Sequence, residues 1–354
     1  YNTDLAGGPA KQASTAMMSL NHDPGTEQFM RQWDVQLPRS RDQAVSSPGR
    51  PAAHEDFANA RGGLVGRVPS EDDRWRRLNN YYLNCVQAVD QHVLGILSEL
   101  DDLGMADKTI IIYTADHGEL AGAHGLSGKG ANGYREQLNV PFMLSHPAFP
   151  GGKLCRAVTS HVDIATTLIA LAGGVSSATQ SLPGSDISAV LGAPEAAPLD
   201  AVRPGALFNY NMFAYLDGNF MMNVSRFIRE GSKPEDLPDQ GFKPNLANRG
   251  AIRSVFDGRY KLNRYYSPQE HHTPRSLEEL FANNDVELFD VETDPHEIVN
   301  LANDRQANGD LLVAMNDKLN AQIESEVGED AGQMLPGGND ADWRLDPSIS
   351  RLRM

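Results

Sequence analysis

The chain has 354 residues, of which 40% are hydrophobic, and its formal net charge is −16. This length accommodates one large domain and a smaller one. The acidic balance argues against nucleic acids and anionic membranes as partners, and no apolar run approaches the ~18 residues of a membrane-spanning helix. Two cysteines do not make a disulfide framework. Because the net charge is negative, an anionic substrate would need a locally positive site.

The first part of the chain is weakly patterned. Residues 16–20 form a short apolar run that predicts a strand, and His22 follows it just past the strand end. Residues 38–70 are rich in arginine, proline, serine and glycine and show no periodicity. A long segment of this kind inside a compact domain is typical of a lid or of a disordered segment, and we favour a loop that covers a site.

The strongest helix prediction covers residues 73–103. Ser70 is the predicted N-cap with Asp73 as its reciprocal acid, and Gly104 is the predicted stop. The helix leads into an apolar, uncharged run at 109–114 without alternation, which predicts a strand buried on both faces in a parallel sheet. The apolar positions that step by three and four along the helix are Tyr82, Cys85, Val86, Val89, Val93, Ile96, Leu97, Leu100 and Leu103.

Polar side chains follow this strand directly. Asp116 offers a hard oxygen ligand and His117 an imidazole nitrogen, while Gly118 lets the backbone turn close to a bound group. Ligands in open α/β sheets bind outside the carboxyl ends of the strands. The pair therefore predicts a metal site, and the alternative is a polar turn that merely caps the strand.

The next loop, residues 122–130, is rich in glycine and carries His124 and Lys129. A lysine close to a metal suits an anionic oxygen ligand. The alternative for a lysine in such a loop is a solvated surface charge.

The C-terminal part has a different pattern. A helix at 161–172, with Ser160 as its cap and Asp163 as the reciprocal acid, precedes a strand at 206–210. Strands at 252–256 and 259–264, joined by Asp257-Gly258 as a two-residue turn, a strand at 287–291 and an amphipathic helix at 311–326 complete the chain. Strands followed by a helix predict a small antiparallel sheet with a helix packed on it. We expect a first domain at 1–245 and a second at 246–354.

The order of these motifs resembles the C-terminal portion of the sulfatase family, in the alkaline-phosphatase superfamily. From about residue 73 onward, the resemblance implies an α/β fold: a mixed sheet flanked by helices, with a small C-terminal antiparallel-sheet-plus-helix subdomain. The segments that carry it are 114–119, 124–126, 128–130, Tyr134, Glu136, 140–141, 160–168, 257–261, 287–290, 294–295 and 300–302.

The resemblance implies a role for five residues. Asp116 and His117 would be two ligands of a divalent metal, calcium by resemblance, although the imidazole leaves manganese open and magnesium is a further candidate. Lys129 would be the catalytic lysine that contacts the sulfate. His124 would be a second substrate contact, and His22 a catalytic histidine beside the sulfate, although the proline that precedes this histidine in the family is absent here.

The nucleophile that the resemblance implies is not in this chain. Sulfatases use a formylglycine made from the cysteine of a Cys-x-Pro-Ser/Ala-Arg motif, and neither Cys85 nor Cys155 lies in such a motif. The family's early pair of metal-binding aspartates is missing as well. We expect the N-terminal portion of the fold, with its formylglycine, to lie outside this sequence and the chain alone to be inactive. A cytoplasmic and a periplasmic location both stay open.

The implied reaction is the metal-dependent hydrolysis of a sulfate monoester, as in arylsulfatases, with a small-molecule sulfate ester as the substrate. One alternative is a phosphonate monoester or phosphodiester hydrolase of the same superfamily, which would use the same metal half-site. The other is an inactive fragment or a binding subunit. A homo-oligomer is compatible with the sequence.

Overall fold

The computed structural model describes residues 31–330, apart from 65, 67, 69, 175–180, 212–215, 232, 234–235 and 237–243. His22 and the strand predicted at 16–20 lie outside the described residues. The helices are α1 (Ala52–Leu64), α2 (Asp72–Asp102), α3 (Arg135–Leu138), α4 (Val162–Leu171), α5 (Gly218–Arg229), α6 (Leu277–Ala282) and α7 (Arg305–Glu326). The strands are β1 (Ile111–Thr114), β2 (Phe142–Ser145), β3 (Ala206–Tyr210), β4 (Ala251–Phe256), β5 (Tyr260–Tyr266) and β6 (Asn284–Asp290).

The strand predicted before Asp116 is present as β1, but its surroundings differ from the prediction. β1 pairs antiparallel with β2, with Ile111 opposite Ser145 and Thr114 opposite Phe142. All residues of β1 are half-buried. Among the described residues the expectation of a parallel strand buried on both faces is therefore wrong, because β1 has a single neighbour and the composition of a strand does not set the direction of its partner.

Helix α2 forms where it was predicted, but its apolar stripe is largely exposed. Val89, Ile96 and Leu103 are 52%, 63% and 61% exposed, and the buried residues of the helix are Trp75, Asn79 and Asn84. The predicted cap is also wrong: the N-cap is Glu71, and no side chain caps the helix there.

Helix α1 lies inside the segment predicted to be a structureless loop. Ala53, Phe57 and Ala60 are all at most 4% exposed, and their spacing of four and three places them on one helical face. That spacing was the available signal. The low apolar content around it concealed the helix.

The C-terminal sheet confirms the predicted antiparallel-sheet-plus-helix arrangement. Its strand order is β3-β4-β5-β6, all antiparallel. One face packs against α7 through Val255, Leu262 and Leu288. The strand β3 precedes the predicted boundary at 245 yet pairs with β4, and the boundary itself stays a prediction.

The opposite face of this sheet carries the second core. Ile252, Tyr265 and Phe289 pack there against Phe57 of α1 and against the segment that runs from Leu120 to Tyr134. The glycine-rich loop is therefore anchored on the C-terminal sheet.

The β4–β5 turn differs from its prediction by one residue. Asp257 N donates to Tyr260 O at 3.0 Å, so Gly258 and Arg259 are the central residues in place of Asp257-Gly258. Gly258 has a φ of 100°, the left-handed conformation that such a turn requires at its first central position.

A buried network of ion pairs links helix α4 to helix α7 through Arg203. Both oxygens of Asp163 on α4 accept bonds from Arg203, at 3.0 and 2.5 Å, and Arg203 also donates to Glu326 of α7 at 2.6 Å. Asp163 further accepts from Ser160 N at 2.7 Å, which is one half of the predicted cap; His161 takes the N-cap position itself. No helix in the described part of the chain is both long and apolar enough to cross a membrane.

Candidate active site

The side chains predicted to bind metal lie together at the end of β1. Asp116 Oδ2 is 3.2 Å from His117 Nε2, and Asp116 Oδ1 accepts the backbone N–H of His117 at 2.9 Å. This backbone hydrogen bond lowers the pKa of Asp116 below its usual value, and the nearby positive charge of Lys129 acts in the same direction. Asp116 is therefore an anion at neutral pH, ready to act as a ligand.

The orientation of His117 follows from its second ring nitrogen. His117 Nδ1 lies 2.8 Å from the carbonyl oxygen of Gly118, so Nδ1 carries the proton and donates. The lone pair of Nε2 then faces outward, where it meets both Asp116 and the ammonium of Lys129. The structure thus brings Asp116, His117 and Lys129 to one place.

Backbone hydrogen bonds position Lys129 beside His117. Leu120 N donates to Gly128 O at 3.0 Å. Glu119 Oε1 accepts from the backbone N–H groups of Ala121 and Gly128. Because Lys129 is the next residue, these bonds set its position beside His117. Sequence reasoning missed this role of Glu119.

Two glycines allow the loop to pass close to its neighbours. A Cβ atom at Gly118 would lie 1.9 Å from the backbone oxygen of Glu136, and one at Gly130 would lie 2.1 Å from the ring of Phe57. Buried Gln137 closes the loop from inside, since its Oε1 accepts from Gly130 N at 2.8 Å and from Asn132 Nδ2 at 2.9 Å.

The Asp116–His117 pair fits part of a metal site. A separation of 3.2 Å between the two ligand atoms is what neighbouring ligands of one ion show at ligand distances of about 2.0–2.5 Å. Within the described residues no third His, Cys, Asp or Glu completes a three-ligand group with them. The pair is exposed, with 83% of the Asp116 side chain and 36% of the His117 side chain accessible, so further ligands can approach.

The remaining predicted residues lie elsewhere. His124 is completely buried, its ring stacked on Tyr134 at 3.4 Å, and its predicted role as a substrate contact stays a prediction. His22 is outside the described residues. His161 Nε2 lies 3.4 Å from Thr114 Oγ1, so its ring contacts the end of β1.

Comparison with known proteins finds a matching family model. The sulfatase family model matches residues 18–175. An arylsulfatase from Volvox carteri is 24% identical over 230 residues, which are 64% of this chain and 31% of the relative. These matches support membership of the sulfatase and alkaline-phosphatase superfamily.

Solved structures share the fold. A candidate sulfatase from Bacteroides thetaiotaomicron superposes with a TM-score of 0.61 at 19% identity, over 89% of this chain and 56% of that one. A phosphonate monoester hydrolase from Silicibacter pomeroyi superposes with a TM-score of 0.57 at 19% identity, over 86% and 52%. The chain thus spans about a third of the length of the Volvox relative and about half that of these structures.

Proposed function

We propose that this chain carries the metal-binding and charge-stabilising half of the active site of a sulfuric ester hydrolase of the arylsulfatase type. The observation that supports this is the convergence of Asp116, His117 and Lys129 at one strand end. A carboxylate, an imidazole lone pair and an ammonium group in contact form a site for a cation and an oxyanion together. The substrate class is a small-molecule sulfate monoester.

The three side chains have separate tasks. Asp116 and His117 hold a divalent cation, with calcium favoured and manganese or magnesium as alternatives; when bound, it polarises the sulfate and lowers the pKa of the attacking hydroxyl. The bond from His117 Nδ1 to Gly118 O keeps the ring turned toward that position. Lys129 stabilises negative charge on the sulfuryl or leaving-group oxygen.

The nucleophile is not among the residues of this chain. Cys85 and Cys155 both lack the Cys-x-Pro-Ser/Ala-Arg context of a formylglycine. Formylglycine therefore remains the expected nucleophile of the complete enzyme, and the chain by itself is expected to bind without turnover.

A second candidate function is the hydrolysis of phosphonate monoesters or phosphodiesters. The structural likeness to the phosphonate monoester hydrolase of Silicibacter pomeroyi favours it, and the same metal and ammonium would stabilise a phosphoryl oxyanion. Initial rates on an aryl sulfate and an aryl phosphonate, measured side by side with the complete enzyme, distinguish the two. A higher kcat/KM on the phosphonate than on the sulfate would make phosphonate ester hydrolysis the preferred function.

The substitution Lys129→Ala in the complete enzyme tests the site. Removal of one oxyanion-stabilising donor typically reduces kcat by about 10²–10³-fold, and we expect a loss of that size. Lys153→Ala is the matched control, since Lys153 is a surface lysine that pairs with Glu195 at 3.0 Å and should leave the rate unchanged. An unaltered kcat/KM in Lys129→Ala would remove this lysine from the site.

A further inference from the structure

A second group of potential ligands lies buried behind the glycine-rich loop. His124, Glu136 and Glu297 each place a ligand atom within 4.8 Å of the other two. His124 is 0% and Glu297 2% exposed. His124 Nε2 and Glu136 Oε2 are buried without a hydrogen-bond partner, and Glu297 Oε1 is contacted by the ammonium of Lys261. Such atoms are costly to bury unless something else satisfies them.

The hydrogen bonds around His124 indicate which of its ring nitrogens carries a proton. Its Nδ1 lies 2.8 Å from Gln43 Oε1, and the orientation of the Gln43 amide follows from the bond of its Nε2 to the carbonyl oxygen of Ile298 at 3.0 Å. His124 Nδ1 therefore carries a proton. In the neutral ring, Nε2 then points a lone pair at Glu136 Oε2, 3.6 Å away, so two electron-rich atoms face each other.

The three side chains are held in place by other contacts. Glu297 Oε2 accepts the backbone N–H of Arg135 at 2.9 Å, which leaves Oε1 pointing into the cluster. The ring of His124 is stacked on Tyr134, with an angle of 4° between the planes. Ligands that are oriented in advance by a second set of contacts are typical of metal sites.

The cluster contains two carboxylates, and one of them has a lysine as its partner. Lys261, also buried, pairs with Glu297 and compensates one of the two carboxylates. The other carboxylate, that of Glu136, has its Oε2 atom 3.6 Å from His124 Nε2, and a carboxylate removed from water is unfavourable without a positive charge close to it. A cation at the centre would contact His124 Nε2 and Glu136 Oε2 and would share Glu297 Oε1 with Lys261.

We propose that His124, Glu136 and Glu297 bind one Zn²⁺ ion, at a site separate from Asp116 and His117. One imidazole nitrogen and two carboxylate oxygens are a ligand set that zinc accepts, with a fourth position left for water. The ion would tie the loop that carries Lys129 to helix α3 and to the turn after β6. Lys261 acts as its competitor, because the ammonium and the metal use the same oxygen of Glu297.

Zinc binding to the full chain tests the proposal. The background variant carries Asp116→Asn and His117→Gln, so that the strand-end site does not contribute. We expect one Zn²⁺ per chain by equilibrium dialysis, and with Co²⁺ as the probe the visible absorption bands of a four-coordinate ion. Glu297→Gln should weaken binding by more than the about 10–100-fold typical of a lost outer-shell partner.

Lys261→Met is expected to raise the zinc affinity, an outcome that a loss of folding could not produce. Without its competitor the ion should bind at least about tenfold more tightly, equivalent to about 1.4 kcal/mol, while circular dichroism stays unchanged. No zinc in the background variant, or equal zinc affinity in the background and in Glu297→Gln, would overturn the proposal.

Discussion

The two sheets of this molecule are buried to very different degrees. In β5 every residue from Lys261 to Tyr266 is buried, since α7 covers one face of the sheet and the segment from Leu120 to Tyr134 packs on the other. In β1 no residue is fully buried, and Met143 on its partner β2 is 58% exposed. Val89 and Ile96 on α2 are also exposed, at 52% and 63%.

This difference explains how the candidate site is held. Asp116 and His117 follow the half-buried strand, whereas the loop that brings Lys129 to them rests on the well-packed sheet. The site therefore depends on the C-terminal subdomain for its position, although its ligands belong to the other part of the chain. Changes that separate the two regions should affect stability most.

The largest effect is expected for Asp163→Ala, which cuts the ion pair between the regions. Arg203 would remain buried, with only Glu326 as a counter-charge, and breaking a buried pair costs about 3–5 kcal/mol. The free energy of unfolding from urea titration measures this. Glu195→Ala removes the exposed pair with Lys153 and should change stability little. Similar losses in the two variants would show that the buried pair does not join the regions.

A comparable or smaller loss is expected for Leu288→Ala in β6. Leu288 is 0% exposed, while Ile96 on α2 is 63% exposed. Truncating a buried leucine costs about 2–5 kcal/mol, and an exposed position usually changes stability by about 0.5 kcal/mol or less. Urea titrations of Leu288→Ala and Ile96→Ala compare the covered C-terminal sheet with the exposed face of α2. Should Ile96→Ala cost as much as Leu288→Ala, the face of α2 must be covered in solution.

The smallest effect concerns the pH dependence of the C-terminal core. Burial raises the pKa of Glu287, which accepts bonds from Tyr134, Tyr265 and Asn263. The folded chain therefore keeps this proton to higher pH than the unfolded chain. The stability from this group is fully present below the usual glutamate pKa and is lost as pH rises through the raised value.

The substitution Glu287→Gln removes this titration. Its free energy of unfolding should fall less than that of the wild type as pH rises above 4.5, the usual value, and Glu278→Gln on the exposed side of α6 serves as the control. The measurement is a series of urea titrations across pH. Parallel curves for wild type and Glu287→Gln would contradict the raised pKa.

Much of the candidate site could be predicted, because its residues lie close to one another in the sequence. Asp116 and His117 follow a strand within a few residues, and Lys129 lies in the next loop, so spacing alone indicated that they could meet. The β4–β5 hairpin was also predictable, apart from a shift of one residue, because turn chemistry is encoded in adjacent residues. Helix α1 was not predicted, because its apolar stripe is short and its flanking residues are mostly polar.

The sequence by itself determined most of the helices and strands, α1 excepted, and which side chains stand at the end of β1, because backbone propensities and the periods of helix and strand act over a few residues. Only the tertiary structure decided the antiparallel partner of β1, the exposure of α2 and the burial of His124 between Gln43 and Tyr134. It also brought Glu297 to His124 and Glu136. These outcomes depend on contacts between residues far apart in the chain, and the local pattern of any one segment does not specify its distant partner.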